Sequence, residues 1–221
     1  MSILWTLLWK DLLTEWRSRD RLVAMLVFAL LVVVVLYFAA PPGQAGTARE
    51  HVPGLLWVAY IFAIVLGLSR SFGMELENEA LSGLALAPVD RGLIFLGKAG
   101  ANLVLVLIMQ AVAAVAFALA FDVNLGPVAL PLAGVAFLGA VGLCSLGTLF
   151  SAMAVRTTNR EMILPLLMLP LMVPVLLGAV QATRGLIAEG ELPFSALQLL
   201  LVTDGVFLIV SFLGFEYVLD E

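Results

Sequence analysis

Between Gly92 and Gly100 the chain reads GLIFLGKAG, a G-x-x-x-x-G-K run followed by Ala99. With Ser or Thr after the lysine, this spacing gives the loop whose backbone amides cradle the phosphates of ATP or GTP and whose hydroxyl holds Mg2+. Here the hydroxyl position is alanine, the variable positions are Leu93, Ile94, Phe95 and Leu96, and no strand precedes the run. Such side chains crowd a polyphosphate and suit entry into lipid, so the segment reads as the start of a membrane span, with Lys98 snorkelling towards headgroups. Other reactive residues are sparse. Cys144, inside an apolar run, offers no disulfide framework, redox pair or Cys/His metal box. His51, the single histidine, lies in a loop beside Pro53 and reads as solvated. Asp204, in LLVTDGVFLIV, is an acid inside a long apolar run. An ionised carboxylate there costs about 2.5–3.5 kcal/mol on insertion scales, so it faces the protein interior or water, or else lies near the outer interface. No paired intramembrane acids, Ser with Lys or H-E-x-x-H accompany it, so an intramembrane enzyme lacks its catalytic set.

The elements that must position these residues follow from composition. The chain has 221 residues, 63% hydrophobic and 12% charged, with a mean hydropathy of +1.13. Soluble domains are roughly 45–50% apolar and about 25% charged; this is the composition of an integral membrane protein. The formal charge of −5 carries no basic footprint for nucleic acid. Apolar runs long enough to cross a bilayer fall at 22–40, 54–69, 95–121, 130–155, 163–181 and 196–219, within a single transmembrane domain over 1–221. The first begins only after Arg21 and is longer than a signal-peptide core, so it reads as a retained span. With the N-terminus inside, one side receives Lys10, Arg17, Arg19, Arg21, Arg70, Arg91, Lys98, Arg156 and Arg160, leaving Arg49 and Arg184 for the other. That asymmetry places both termini in the cytoplasm.

Ahead of the first span, residues 1–21 place Ile3, Leu4, Leu7, Leu8, Leu12 and Trp16 at helical spacing, with Lys10, Asp11, Glu15 and Arg17 beside them. The pattern predicts an amphipathic helix in the inner headgroup layer; the alternative is a short helix packed on its own protein. The cytoplasmic loop 70–94 starts RSFGMELENEALSGLALAP, with Arg70, then Glu75, Glu77 and Glu79 leading into Leu81, Leu84 and Leu86. Acids followed by exposed leucines fit a docking helix for a soluble partner, the leucines as anchors and the charges for register; the alternative is a loop folded back on the bilayer. In the fourth span Ala140, Cys144, Thr148 and Ala152 form a small-residue stripe that reads as an internal packing face. Pro165, Pro170 and Pro174 predict a kinked or broken fifth span.

From Gly54 to Leu103 the chain, beginning GLLWVAYIFAIVLGLSRSFG, resembles the central region of the CcmB family, haem exporter protein B, the permease of cytochrome c maturation ABC transporters. The resemblance rests on the W-V-A span, Arg70 and Phe72 at its end, the acidic stretch, the Leu-rich turn closing at Pro88 and Lys98 leading the next span. It implies an all-α ABC-2-type permease fold with an N-terminal amphipathic connecting helix, six transmembrane helices and a cytoplasmic coupling helix. It also implies a bacterial inner-membrane location and two copies of a non-catalytic subunit working with a CcmA-type ATPase and CcmC- and CcmD-type subunits. ATP then sits on the partner, haem is handled by the complex, this chain holds no cofactor of its own, and a haem-loaded chaperone of CcmE type is released. An ABC-2 permease for another substrate, and a passive scaffold or channel, are the competing readings.

Overall fold

A backbone in hydrocarbon finds no water to bond, so apolar runs of about 20 residues close their hydrogen bonds internally as helices. The computed structural model describes residues 3–39, 45–71, 90–154 and 160–220, and among them it contains helices and no strand. The helices are α1 (Ile3–Ser18), α2 (Asp20–Ala39), α3 (Ala45–Ser69), α4 (Arg91–Ala120), α5 (Ala129–Ala154), α6 (Arg160–Ala188) and α7 (Phe194–Asp220). Helices α2 to α7 each hold a window long and apolar enough to cross a membrane. The chain is a multi-pass, all-α membrane protein with one further helix at its N-terminus. Arg70 is exposed in the turn that ends α3, whereas Glu75, Glu77, Glu79, Leu81, Leu84 and Leu86 lie outside the described residues.

The joints are set by local chemistry. Helix α1 stops where Arg19 takes a left-handed backbone, φ 59°, and Asp20 opens α2 with an acid in its first turn, favourable at the positive end of the helix dipole. Asp90 caps α4, its Oδ1 accepting from the Gly92 N–H at 2.8 Å. Between α4 and α5, Asn124 Oδ1 accepts from the Gly126 N–H at 3.1 Å, an Asx turn that starts a single 3-10 turn, Gly126–Val128. The turn into α7 needs a left-handed residue and uses Gly190, φ 72°.

Helix α3 is the most enclosed span, with 67% of its window buried, against 17% for α2, which lies at the periphery. Trp57 anchors the core: its ring meets Tyr60 edge-on at 5.4 Å, and its Nε1 donates to Thr183 Oγ1 at 2.9 Å. Ala140, Cys144, Thr148 and Ala152 of α5 are all buried. One local expectation is corrected. Helix α3 starts at Ala45 and runs through Pro53, so His51 sits on helical backbone rather than in a loop. Helix α6 is unbroken through Pro165, Pro170 and Pro174; each proline removes one donor, a loss that helices packed alongside absorb. Helix α1 packs on its own protein through Leu7 and Leu8, which meet Gly97 and Gly100 of α4, while Trp5, Trp9, Leu13 and Trp16 are exposed. The helix is apolar on two faces, and its leucine face belongs to the protein.

Gly139 lies under the Trp57 indole, where an added Cβ would meet the ring at 2.5 Å. Trp57 is held by its bond to Thr183 and cannot yield, so Gly139→Ala should destabilise the fold by about 1–3 kcal/mol. Reversible unfolding of the purified chain in mixed micelles measures this; unchanged stability would contradict the packing described.

Candidate functional site

Within a bilayer, polar side chains that face the protein must find each other. At the end of the bundle that carries α1 they do so around Asn102 of α4, which is 3% exposed. Its Oδ1 accepts from Arg21 Nη1 at 2.9 Å and from Ser71 Oγ at 3.0 Å. Its Nδ2 donates to Thr148 Oγ1 of α5 at 2.9 Å. Arg21 in turn donates through Nε to Glu15 Oε2 of α1 at 3.1 Å. The other Glu15 oxygen accepts from the Leu22 N–H at 2.9 Å, closing one of the open amides in the first turn of α2. One connected hub therefore joins α1, the start of α2, the turn after α3, α4 and α5.

A second buried pair lies beside it. Lys98 Nζ of α4 stands 3.3 Å from Asp11 Oδ2 of α1, and Asp11 and Glu15 are one helical turn apart on the face that α1 turns inward. Lys98, expected to snorkel to headgroups, is 6% exposed and ion-paired; an acid of its own chain within reach replaces the lipid surface as its partner. The G-x-x-x-x-G-K glycines have a packing role as well. Gly92 lies under the Phe212 ring, Gly97 against Leu7 and Gly100 against Leu8. Below Gly92, Phe95 packs on Phe215 at 5.5 Å and, with Ile94, Leu149 and Ala152, closes this end of the bundle with an apolar plug.

The hub lies at the root of segment 72–89. Ser71, the last described residue before it, bonds to Asn102, and Asp90, the first after it, caps α4. Arg70 is exposed beside Ser71. The sequence reading singled out Arg70 and the loop but missed Glu15, Ser71 and Asn102. Two signals were available: an Asn in the middle of an apolar run, and two acids four residues apart on α1.

Asp204 is resolved to the interior. It is 5% exposed in the middle of α7, where a Cβ on Gly142 of α5 would collide with its Oδ1, and neither carboxylate oxygen has a hydrogen-bond partner among the described residues. At the opposite end of the bundle a cavity of about 440 Å³ lies between α3, α4 and α5, lined mainly by Ala and Leu with Trp57, Tyr60 and Gln110 at its inner end. Tyr60 donates its hydroxyl hydrogen to the Gln110 backbone carbonyl oxygen at 2.9 Å, and among the described lining residues it is the one of a type that can ligate haem iron, with no His, Cys or Met beside it. Among the described residues no three His, Cys, Asp or Glu side chains converge as a metal site.

The family model of the CcmB protein matches residues 2–216. The chain is 33% identical over 195 residues to heme exporter protein B of Paracoccus denitrificans, covering 88% of each chain. It is 34% identical over 176 residues to heme exporter protein B of Rhodobacter capsulatus, covering 78% of this chain and 79% of the relative. With heme exporter protein B of Pseudomonas aeruginosa it shares 30% identity over 171 residues, 76% of each chain.

Replacing Asn102 by leucine would strand the Arg21, Ser71 and Thr148 groups in a low-dielectric interior. Asn102→Leu should cost about 3 kcal/mol, read by the same micelle unfolding assay. An unchanged midpoint would show that the hub does not hold these helices.

Proposed function

The chain belongs to the CcmB family, and from that premise we propose that it is the permease subunit of an ABC transporter for cytochrome c biogenesis, coupling ATP hydrolysis on a partner subunit to haem export or to release of a haem-loaded chaperone. The α1 end is cytoplasmic and the membrane is the bacterial inner membrane, a reading supported by the gathering of Lys10, Arg17, Arg19, Arg21, Arg70, Arg91 and Lys98 at that end. The chain itself performs no bond chemistry. It takes up the motion of a CcmA-type ATPase through the loop that carries Glu75, Glu77, Glu79, Leu81, Leu84 and Leu86, with Arg70 at its root, and acts beside CcmC- and CcmD-type subunits. The nucleotide is held by the ATPase and haem is handled by the complex. Two copies flank two ATPase subunits, and the fold is of ABC-2 type.

The observation that carries this reading is the anchoring of the loop. Ser71 joins the loop's first end to Asn102, and Asp90 fixes the other by capping α4. A push on such a loop cannot be absorbed at its root. It passes to α4 directly, and through Asn102 to α2, α5 and α1. Asp204, in the tight seam with Gly142, belongs to the moving interior in this reading.

Affinity purification of the tagged chain from its native membrane tests the partner. An ATPase subunit should co-purify, and reversing Glu75, Glu77 and Glu79 to lysine should cut its recovery at least tenfold; a chain that arrives alone would return the scaffold or channel reading to the front. A second substitution separates docking from transmission. Ser71→Val should leave the ATPase bound yet lower permease-stimulated hydrolysis several-fold, because the loop loses its tie to Asn102. Equal loss of binding and hydrolysis in that variant would remove the hub from the coupling path.

A further inference from the structure

The face of α1 that the protein leaves open has its own chemistry. Trp5, Trp9, Leu13 and Trp16 are 51%, 54%, 41% and 69% exposed. At 3.6 residues per turn they share an arc of roughly 80°, with Lys10 and Arg17 at its edge. Arg19, at the corner into α2, lies with its guanidinium carbon 5.3 Å from the Trp16 ring centroid. The stripe is therefore aromatic at its centre and cationic along one side and at one end. The opposite face of the same helix is committed, by Leu7 and Leu8 to α4 and by Asp11 and Glu15 to Lys98 and Arg21.

We propose that this face is a binding surface for anionic phospholipid headgroups in the leaflet at the α1 end. Continuity with the membrane argues for it. One residue, Arg19, separates α1 from the spanning helix α2, and α2 continues the open surface with Val23, Val27, Leu31, Val34 and Phe38, all exposed. A helix attached so closely to the end of a span lies at the depth of the headgroups, where indole rings are at home with the ring in the acyl boundary and the N–H in the wet layer. Charge complementarity supplies the preference. Lys10 and Arg17 flank the rings and Arg19 sits at the corner, and basic residues at a membrane surface favour anionic lipid by about fivefold each. The acids of α1 do not oppose this, because Asp11 is shared between Lys98 at 3.3 Å and Lys10 at 3.1 Å and Glu15 is paired with Arg21, which leaves Arg17 and Arg19 as the main cations of the open face. An anionic leaflet then seats α1 on α4 from outside, while the two buried ion pairs hold it from within.

Tryptophan content makes the surface directly readable. The chain has four tryptophans; Trp57 is 1% exposed in the core, and the others form the α1 stripe. The full chain is reconstituted into vesicles containing either brominated phosphatidylglycerol or brominated phosphatidylcholine as quencher, and Trp emission is recorded. Phosphatidylglycerol should quench several-fold more effectively at equal mole fraction. The Arg17→Gln/Arg19→Gln double variant should lose most of that preference while keeping quenching by phosphatidylcholine, and 1 M salt should weaken the preference in the unaltered chain. A Trp5→Phe/Trp9→Phe/Trp16→Phe variant reports Trp57 alone and verifies the fold by its buried emission. Equal quenching by the two lipids would overturn the anionic preference. Quenching no stronger than in the triple variant would show that the face is covered by protein and is not a lipid site.

Discussion

The side-chain amide of Asn102 is the constraint from which the arrangement at the α1 end follows. A membrane interior offers no water to replace a lost partner, so each polar group there determines where the next one stands. Arg21, at the threshold of α2, is drawn inward to the Asn102 oxygen and needs an anion, which Glu15 supplies. Glu15 has a second oxygen, and it finishes the first turn of α2. The position of α1 is thus a consequence of making one buried cation tolerable. A buried pair of this kind adds little net stability over an apolar substitute, because desolvation offsets its attraction. What it contributes is register: few other placements of α1 satisfy Glu15, Arg21, Asp11 and Lys98 together.

The run that imitates a phosphate loop shows how the same letters serve another physics. In a nucleotide-binding protein the glycines of such a run let backbone amides approach phosphate. Here they let side chains approach a helix: Phe212, Leu7 and Leu8 occupy the space that side chains at Gly92, Gly97 and Gly100 would fill. The lysine, which would reach a β-phosphate, instead meets Asp11. Both uses need close approach and a cation, and local sequence spacing cannot separate them. The deciding features were the four greasy positions and the helix that begins at Arg91, capped by Asp90.

The six spans were legible because each is a local property, a run of apolar residues whose backbone has one way to close its hydrogen bonds. The hub was not legible, because its links join residues far apart in the chain. Arg21 and Asn102 are separated by 81 positions, and no pattern within one segment announces the partner. Helix α1 was half legible. Its periodicity predicted an amphipathic helix, but a hydrophobic stripe does not say whether its counterpart is lipid or protein, and this helix packs one apolar face on α4 and leaves another exposed. Asp204 was ambiguous for a related reason. Its depth depended on where α7 begins, and its direction on Gly142 of a different helix. The prolines of α6 announce one lost donor each but not its consequence, and the helix continues through all three.

Helix α4 is the element through which these features act together. It begins at the loop root with Asp90, carries Gly92, Gly97, Lys98, Gly100 and Asn102 along its first three turns, and reaches the cavity at the other end with Gln110. Its neighbours α1, α2, α5 and α7 each touch it near that end, through Leu7 and Leu8, Arg21, Thr148 and Phe212. A displacement applied there cannot be taken up by unmaking the hub one bond at a time, since each broken link strands a polar group in a low-dielectric interior at about 1–3 kcal/mol. Moving the connected helices together leaves those bonds intact and confines the change to apolar contacts such as the Phe95–Phe215 plug and the Ala-lined cavity walls. Apolar surfaces slide against one another or against lipid at far smaller cost, because no directional bond is lost. The placement of polar groups at one end and an apolar cavity at the other therefore makes local bending at the hub the costlier deformation.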